Sequence, residues 1–460
     1  MNIILQNYKI LIENILKNLL LNKVDSIIKG FNGLNNINNY ISLISSFDEA
    51  LCTSFREAFI KLIEEIDSNY CKSIDRKRKY HIKNYCSRTI LTVFGEITFS
   101  RTFYKSILTG KSFCYVDRLL GLRKYDYFDP YIKAEILDYV SDNNYSETAY
   151  HINSLIGNRI SISQKQKYLS RQAVRNIIIK EKLAKPKVER LDNVEALYII
   201  ADEKWIPTQN NNGKKVMQKS IVVFDGFNIL KKRRSLNNKM TFSGRNEDFI
   251  YEAIDYIEKA YDVSKIKYFY MLGDGATWIK QLKYYFNFYP DIQIIQGLDH
   301  FHFKQALWRI CPKEDVYKCL VDYILRNNKE DFERIISEIK DLSPGREEKI
   351  NEYNSYINNN WNNILNIFKY NLSCPMESQI SHTFASYFTS RPKGFSKNMI
   401  NKLIKLRMLR KNGYNIKYLF LNNFNEKETS DLANKPNDYS IFETKETCTL
   451  LIKKRFLYKI

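Results

Sequence analysis

Two aspartates in this sequence close apolar runs. Asp202 follows Ala196-Leu197-Tyr198-Ile199-Ile200-Ala201, and Asp274 follows Lys267-Tyr268-Phe269-Tyr270-Met271-Leu272-Gly273. Runs of this kind predict buried strands, and open α/β sheets place their sites just outside the carboxyl ends of strands. The acids are 72 positions apart (274 − 202), so neighbouring strands could carry both to one sheet edge. A third acid, Glu377, opens a predicted helix over 378–390, 103 positions further on (377 − 274). Carboxylates are hard oxygen donors of the kind Mg²⁺ takes. Two such ions ~3.5–4 Å apart activate a nucleophile and stabilise the leaving oxygen of an in-line phosphoryl displacement. Each acid alone has a plainer reading. Asp274 before Gly275-Ala276-Thr277 suits a tight turn into a helix, Asp202 could be a strand-end cap, and Glu377 suits a helix start favoured by the macrodipole. Asp225-Gly226 competes as an acid pair but reads as hairpin-turn chemistry.

The elements around these acids follow from periodicity. After residue 195 the pattern predicts strands at 196–202, 219–227 and 292–298, a possible one within 228–236, and amphipathic helices over 247–261 and from Thr277. Residues 301–370 read as helical and interrupt the α/β region before Glu377. Upstream, residues 1–75 read as helical, and Thr89–Tyr104 as a hairpin about Phe94-Gly95-Glu96. Helices over 146–156 and 169–180 resemble a helix-turn-helix, with Ser170 as N-cap. On the second, Arg171, Gln172, Arg175 and Asn176 could read base edges, or the two could be an ordinary solvated helix pair. The predicted organisation is therefore a helical region 1–75, a basic segment and hairpin 76–128, a helix-turn-helix-like region and linker 129–190, a core 191–300, a helical insertion 301–370, the last core helix 371–397, and a basic region 398–460.

The chain has 460 residues and a formal net charge of +21, which favours an anionic partner because each neutralised phosphate releases counterions. Arg76, Arg78, Lys232 and Arg233 lie in basic clusters that could contact phosphate without specifying sequence, or simply be solvated. With 44% hydrophobic residues the chain can bury a large core, which excludes the compositional signature of disorder. No uninterrupted apolar run of ~18 residues predicts a membrane span, and the amphipathic N-terminus does not read as an export signal. The eight cysteines include no CxxC pair, so free thiols are expected rather than a zinc site.

Several stretches occur in an order that resembles one family. They are Phe94–Thr102, Ile200-Ala201-Asp202-Glu203, Phe242-Ser243-Gly244, Gly273–Ile279, Leu298-Asp299-His300-Phe301-His302 and Ser390–Ser396. Together, from about residue 85 to 413, they look like the ISLre-type family of bacterial insertion-sequence transposases. The resemblance implies a multidomain α+β protein. Its parts would be a helical N-terminal DNA-binding region and a ribonuclease H-like α/β catalytic domain with a mixed sheet and an all-helical insertion. It implies a DDE triad of Asp202, Asp274 and Glu377 holding two Mg²⁺ or Mn²⁺ ions. The family's usual Ala-Glu-Gly around the glutamate is Met376-Glu377-Ser378 here, a departure at that position. Asp299 and His302 resemble the Cys-or-Asp-x-x-His motif of Mutator-like transposases, with a bracing or DNA-contact role. His382 and Arg391 fall in matching stretches without an assigned role. The expected activity is cleavage of double-stranded DNA at element ends and strand transfer into target DNA, by a homodimer or larger assembly in the bacterial cytoplasm. The alternatives are a catalytically inactive, repressor-like DNA-binding derivative and a basic RNA-binding protein.

Overall fold

The computed structural model describes residues 37–156, 169–209, 215–230, 233–376, 379, 381–389 and 394–423, and the single positions Glu13, Lys17, Leu21 and Val24. At 37–39, 229–230, 233–234, 381–382 and 385 it describes the main chain only. Among these residues no helix is long and apolar enough to cross a membrane.

The first long stretch of described residues is built around a long helix laid on a hairpin. Helix Ile37–Lys72 packs on β1 (Tyr80–Thr92) and β2 (Gly95–Ser106), and β2 also pairs with the short β3 (Ser112–Cys114). Alternation in the hairpin turns Ile90, Ile97 and Phe99 inward to meet Ile63 of the helix. Thr92 and Gly95 pair across a two-residue turn, and Gly95 takes φ 110°, a conformation side-chain-bearing residues avoid. The hairpin starts at Tyr80, well before the predicted Thr89, because the exposed polar stretch from His81 to Ser87 pairs without burying an apolar face.

The second sheet is mixed and five-stranded. It contains β4 (Ala196–Pro207), β5 (Lys215–Phe224), β8 (Met240–Gly244), β9 (Tyr268–Gly273) and β10 (Gln293–Leu298), in the order β10-β9-β4-β5-β8. Strands β4, β9 and β10 run parallel, while β5 is antiparallel to both its neighbours. The expected strand within 228–236 is instead a separate hairpin, β6 (Gly226–Leu230) with β7 (Arg233–Asn237). Asp225, expected in that hairpin's turn, stands instead at its open end, where it accepts from the side-chain amides of Asn237 and Asn238 at 2.7 Å each.

Period-two alternation divides the sheet between two cores. Leu197, Ile199, Ala201, Ile221, Val223, Phe269 and Met271 face helices Asp248–Ala260 and Thr277–Phe286. Ile200, Val222, Phe224, Leu272 and Leu298 face the other way, into a larger core. That core includes the five insertion helices between His300 and Lys369, helix Lys397–Lys411, and the helices between Pro130 and Lys180. Each large side chain buried there contributes roughly 1.5–3 kcal/mol. The basic helix Lys397–Lys411 is tied down by its own cations. Arg407 is buried, donates to the Thr383 and Ser141 carbonyls, and lies over the Tyr387 ring. The extended segment 181–194 is likewise anchored: Ala184 N donates to Leu419 O and Leu191 N to Ala260 O.

Candidate active site at the sheet edge

Strands β9 and β10 are each followed at once by an aspartate, and β4 carries one just past the point where its pairing with β9 ends. Ile200 of β4 pairs with Leu272 of β9, so two positions on, Asp202 stands level with Asp274. Leu298 of β10 pairs with Gly273 of β9, so one position on, Asp299 stands level with Asp274 as well. Three carboxylates thus share one row across adjacent strands, whose normal spacing is ~4.8 Å. The Asp299 N–H still donates to the Gly273 carbonyl at 2.7 Å, which holds the row together one rung past the ladder. Strand β4 itself does not stop at Asp202. It continues to Pro207 against β5 after its parallel neighbour has ended, with Lys204 half-buried and Trp205 exposed.

Local hydrogen bonds fix each acid differently. Asp202 Oδ1 accepts from the Glu203 N–H at 2.6 Å, and Asp274 Oδ1 from the Ala276 N–H at 2.9 Å. Asp299 is buried and caps helix His300–Ile310, accepting from the Phe301 N–H at 3.0 Å. His302 Nε2 stands 4.0 Å from Asp299 Oδ2. The Tyr356 hydroxyl donates to the Asp274 carbonyl at 2.6 Å, linking an insertion helix to the row. Burial pushes the Tyr356 phenol up, with Asp274 and Asp299 adding to the rise, so it remains a donor. Beside the row, Trp278 Nε1 donates to Glu203 Oε2 at 2.6 Å and braces β4 against helix Thr277–Phe286.

Charge at Asp202 and Asp274 is poorly compensated. Burial pushes the Asp202 carboxyl up to about 6; the Glu203 N–H opposes this, the charge on Asp274 adds to it, and His302 and Asp299 act in opposite senses. Among the described residues no lysine or arginine forms an ion pair with Asp202 or Asp274. Cys374, three positions before Glu377, feels all three aspartates, and burial together with their charge holds its thiol well above the ordinary value. Glu377 lies outside the described residues. In kind, Asp202 and Asp274, which pair with no lysine or arginine among the described residues, fit a hard divalent ion. In placement, no group of three His, Cys, Asp or Glu among the described residues converges enough to hold one.

The sequence matches the uncharacterised protein family UPF0236 over residues 34–423. The chain belongs to UPF0236. Similar proteins occur in Caldanaerobacter subterraneus subsp. tengcongensis. UPF0236 protein TTE2489 is 29% identical over 409 residues, which cover 85% of this chain and 83% of that one. UPF0236 protein TTE0610/TTE0881/TTE1053/TTE2432 is 29% identical over 420 residues, covering 88% and 85%. A third, whose name joins eleven such designations, is 28% identical over 395 residues, covering 83% and 79%.

The other residues singled out in this UPF0236 chain are scattered. Helix Arg171–Lys180 forms and is capped by Ser170, whose Oγ accepts from the Ala173 N–H at 3.1 Å. Its buried face is Val174, Ile177 and Ile178; Arg171, Gln172 and Asn176 are exposed and Arg175 is half-buried. Gln172 donates to Asn176 at 3.2 Å, one turn along. Asn153 of helix Tyr145–Ile156 clasps the main chain of Leu169 through both its amide atoms, which joins the pair; the segment 157–168 is outside the described residues. Arg76, on the short helix Ile74–Lys79, is turned back onto the end of the preceding long helix, donating to the Cys71 carbonyl, whereas Arg78 is exposed. Lys232 and Arg391 lie outside the described residues, as do the side chains of Arg233 and His382. His382 sits on a π-helix, Ser381–Thr389, a winding frequent at functional sites. Asp299 was legible only as half of a motif, yet the signal was there: it closes the apolar run before it as Asp202 and Asp274 close theirs.

Proposed function

We propose that this chain is a DDE transposase, a polynucleotidyl transferase that cuts DNA at insertion-sequence ends and joins it to target DNA. The observation that carries this reading is the level row of Asp202, Asp274 and Asp299 at one sheet edge, with Asp202 half-buried and unaccompanied by a lysine or arginine pair among the described residues. The strand order β8-β5-β4-β9-β10, with only β5 reversed, supports a ribonuclease H-like core. A name joining many designations in one organism supports a mobile element, since copying a gene leaves repeats of it.

In this reading Asp202, Asp274 and Glu377 hold two divalent ions, Mg²⁺ or Mn²⁺. When bound, these supply activation of the attacking hydroxyl and stabilisation of the leaving oxygen. The chain's own part is positioning. The main-chain N–H groups of Glu203 and Ala276 fix one oxygen of each aspartate, leaving the other to face the substrate. Tyr356 holds the Asp274 main chain, so the insertion sets where that acid stands. Exposed Arg78 and the face of Arg171, Gln172, Arg175 and Asn176 are the proposed DNA contacts, with Lys232 and Arg233.

The second reading is a transposase-derived, repressor-like DNA-binding protein without catalysis. It shares the exposed basic and amide face of helix Arg171–Lys180 and needs no metal. One experiment separates the two. Asp202→Asn keeps shape and removes charge, so strand cleavage of element-end DNA in Mg²⁺ should fall by at least ~10³-fold while a gel shift is unchanged. Cleavage by the variant at the wild-type rate, or no cleavage by either protein alongside a normal gel shift, would remove the catalytic reading.

A further inference from the structure

A groove of about 820 Å³ lies between helix Thr277–Phe286 and the end of the helical insertion. Its lining holds three lysines, Lys280, Lys283 and Lys329, and no acidic residue. None of the three forms an ion pair among the described residues. Lys280 donates to the Asn359 carbonyl at 3.3 Å, Lys283 stands over the Tyr284 ring and Lys329 over the Trp361 ring. Tyr284 is 53% exposed, which leaves its ring open at the groove. The rest of the wall is largely asparagine and glutamine.

One wall residue lies toward the aspartate row. Asn360 is only 3% exposed and donates through Nδ2 to the Tyr356 carbonyl at 2.8 Å, but its buried Oδ1 has no hydrogen-bond partner. A buried acceptor without a donor is costly in a folded chain. Asn360 lines the groove and lies against Gly275, the residue after Asp274. Asn360 therefore marks the end of the groove nearest the aspartate row.

We propose that this groove holds an unpaired stretch of DNA strand beside Asp274. The inference rests on the transposase reading for its DNA, and adds where the strand next to the reacting bond would lie. Unpaired lysines meet phosphates, an open tyrosine ring stacks on a base of any sequence, and amide side chains meet base edges. A duplex presents its bases inside grooves and could not lay them on Tyr284; a single strand can. The buried Asn360 oxygen faces Gly275 rather than the groove, so the strand is held by the lysines and Tyr284.

The test uses the full chain without divalent metal, so it does not depend on catalysis. Fluorescence anisotropy with a labelled mixed-sequence 12-nucleotide single strand, and with its duplex, is measured for wild type, Tyr284→Ala and Lys280→Ala/Lys283→Ala. Both variants change exposed or part-exposed groups, and thermal melting checks that each folds. Single-strand affinity should fall about tenfold in each variant, and duplex affinity less than about threefold. Unchanged single-strand binding in both variants, equal losses for strand and duplex, or no single-strand binding by wild type would overturn the groove. If the variants lose single-strand binding but wild type never cuts element-end DNA, the groove stands and the catalytic reading fails. If wild type cuts while the groove variants bind normally, the reverse holds.

Discussion

Asp126 and Glu181 share Lys133 and Arg123, whereas Asp202 and Asp274 share no lysine or arginine among the described residues. Both sets of acids are at least partly buried, so burial alone does not distinguish them. Burial pushes the Asp126 carboxyl up, but the hydrogen bond and charge of Lys133 outweigh it and leave it below its ordinary value. At Asp202 nothing comparable opposes burial, and the carboxyl rises to about 6. A cluster that serves the fold carries its own counter-charge, as Arg88 and Arg101 do for Asp117. A cluster that lacks one carries the cost of burial alone, and in the proposed reading a divalent cation would supply the missing counter-charge.

The largest effect should come from making the compensated cluster resemble the other. Lys133 is 2% exposed, and Lys133→Met leaves Asp126 and Glu181 buried with only the part-exposed Arg123. Removing one partner of a buried ion pair costs about 3 kcal/mol or more. Urea unfolding at pH 7 should show that loss as a lower midpoint at constant slope. A loss below about 1 kcal/mol would mean the cluster is solvated, and the contrast with Asp202 would vanish.

Next in size is the backbone beside the row. Gly275 has φ 85°, and a Cβ there would lie 2.8 Å from Asn360 Oδ1. Gly275→Ala should therefore destabilise by about 1–2 kcal/mol and displace Asn360. Gly275→Ala in an Asn360→Ala background separates the two causes, because only the φ strain then remains. An equal cost in both backgrounds would mean that Asn360 yields freely.

Much of this contrast was legible in the sequence, and the illegible parts share a physical cause. Strands β4 and β9 were read from apolar runs because both faces of the sheet are covered. Strand β8 was not, since five residues, Met240–Gly244, are too short to set a period. The extension of β4 through Glu203–Pro207 was hidden because its side chains there are mostly polar or exposed. The early start of β1 was hidden for the same reason. The level placement of Asp299 depended on register, which a sequence does not state. Nor does composition separate a cation that pairs internally from one that meets a phosphate. Arg407, read as part of a basic region, is a buried anchor.

The smallest effect tests the electrostatics of the row directly. In the unfolded chain Asp202 titrates near 3.8, and in the folded chain near 6. A carboxyl whose folded value is raised adds stability below about pH 3.8, where both states carry the proton. That contribution is lost as pH rises through 6, because folding then requires a half-buried charge. Asp202→Asn cannot ionise, so it escapes the loss. The stability difference, variant minus wild type, should be near zero at pH 4, grow between pH 4 and 6, and level off above about pH 7 at roughly 1–2 kcal/mol in favour of the variant, below the ~3 kcal/mol of the full shift because Asp202 is only half-buried and solvent screens it. Taking the difference cancels other titrating groups, including Asp129, which burial also raises to about 6. Millimolar Mg²⁺ should then reverse the sign at pH 7, because an ion bound only by the folded wild type stabilises it by mass action. A flat difference across pH 4–7 would place Asp202 in water. A pH-dependent difference that Mg²⁺ leaves untouched would keep the uncompensated charge but remove the cation as its reason.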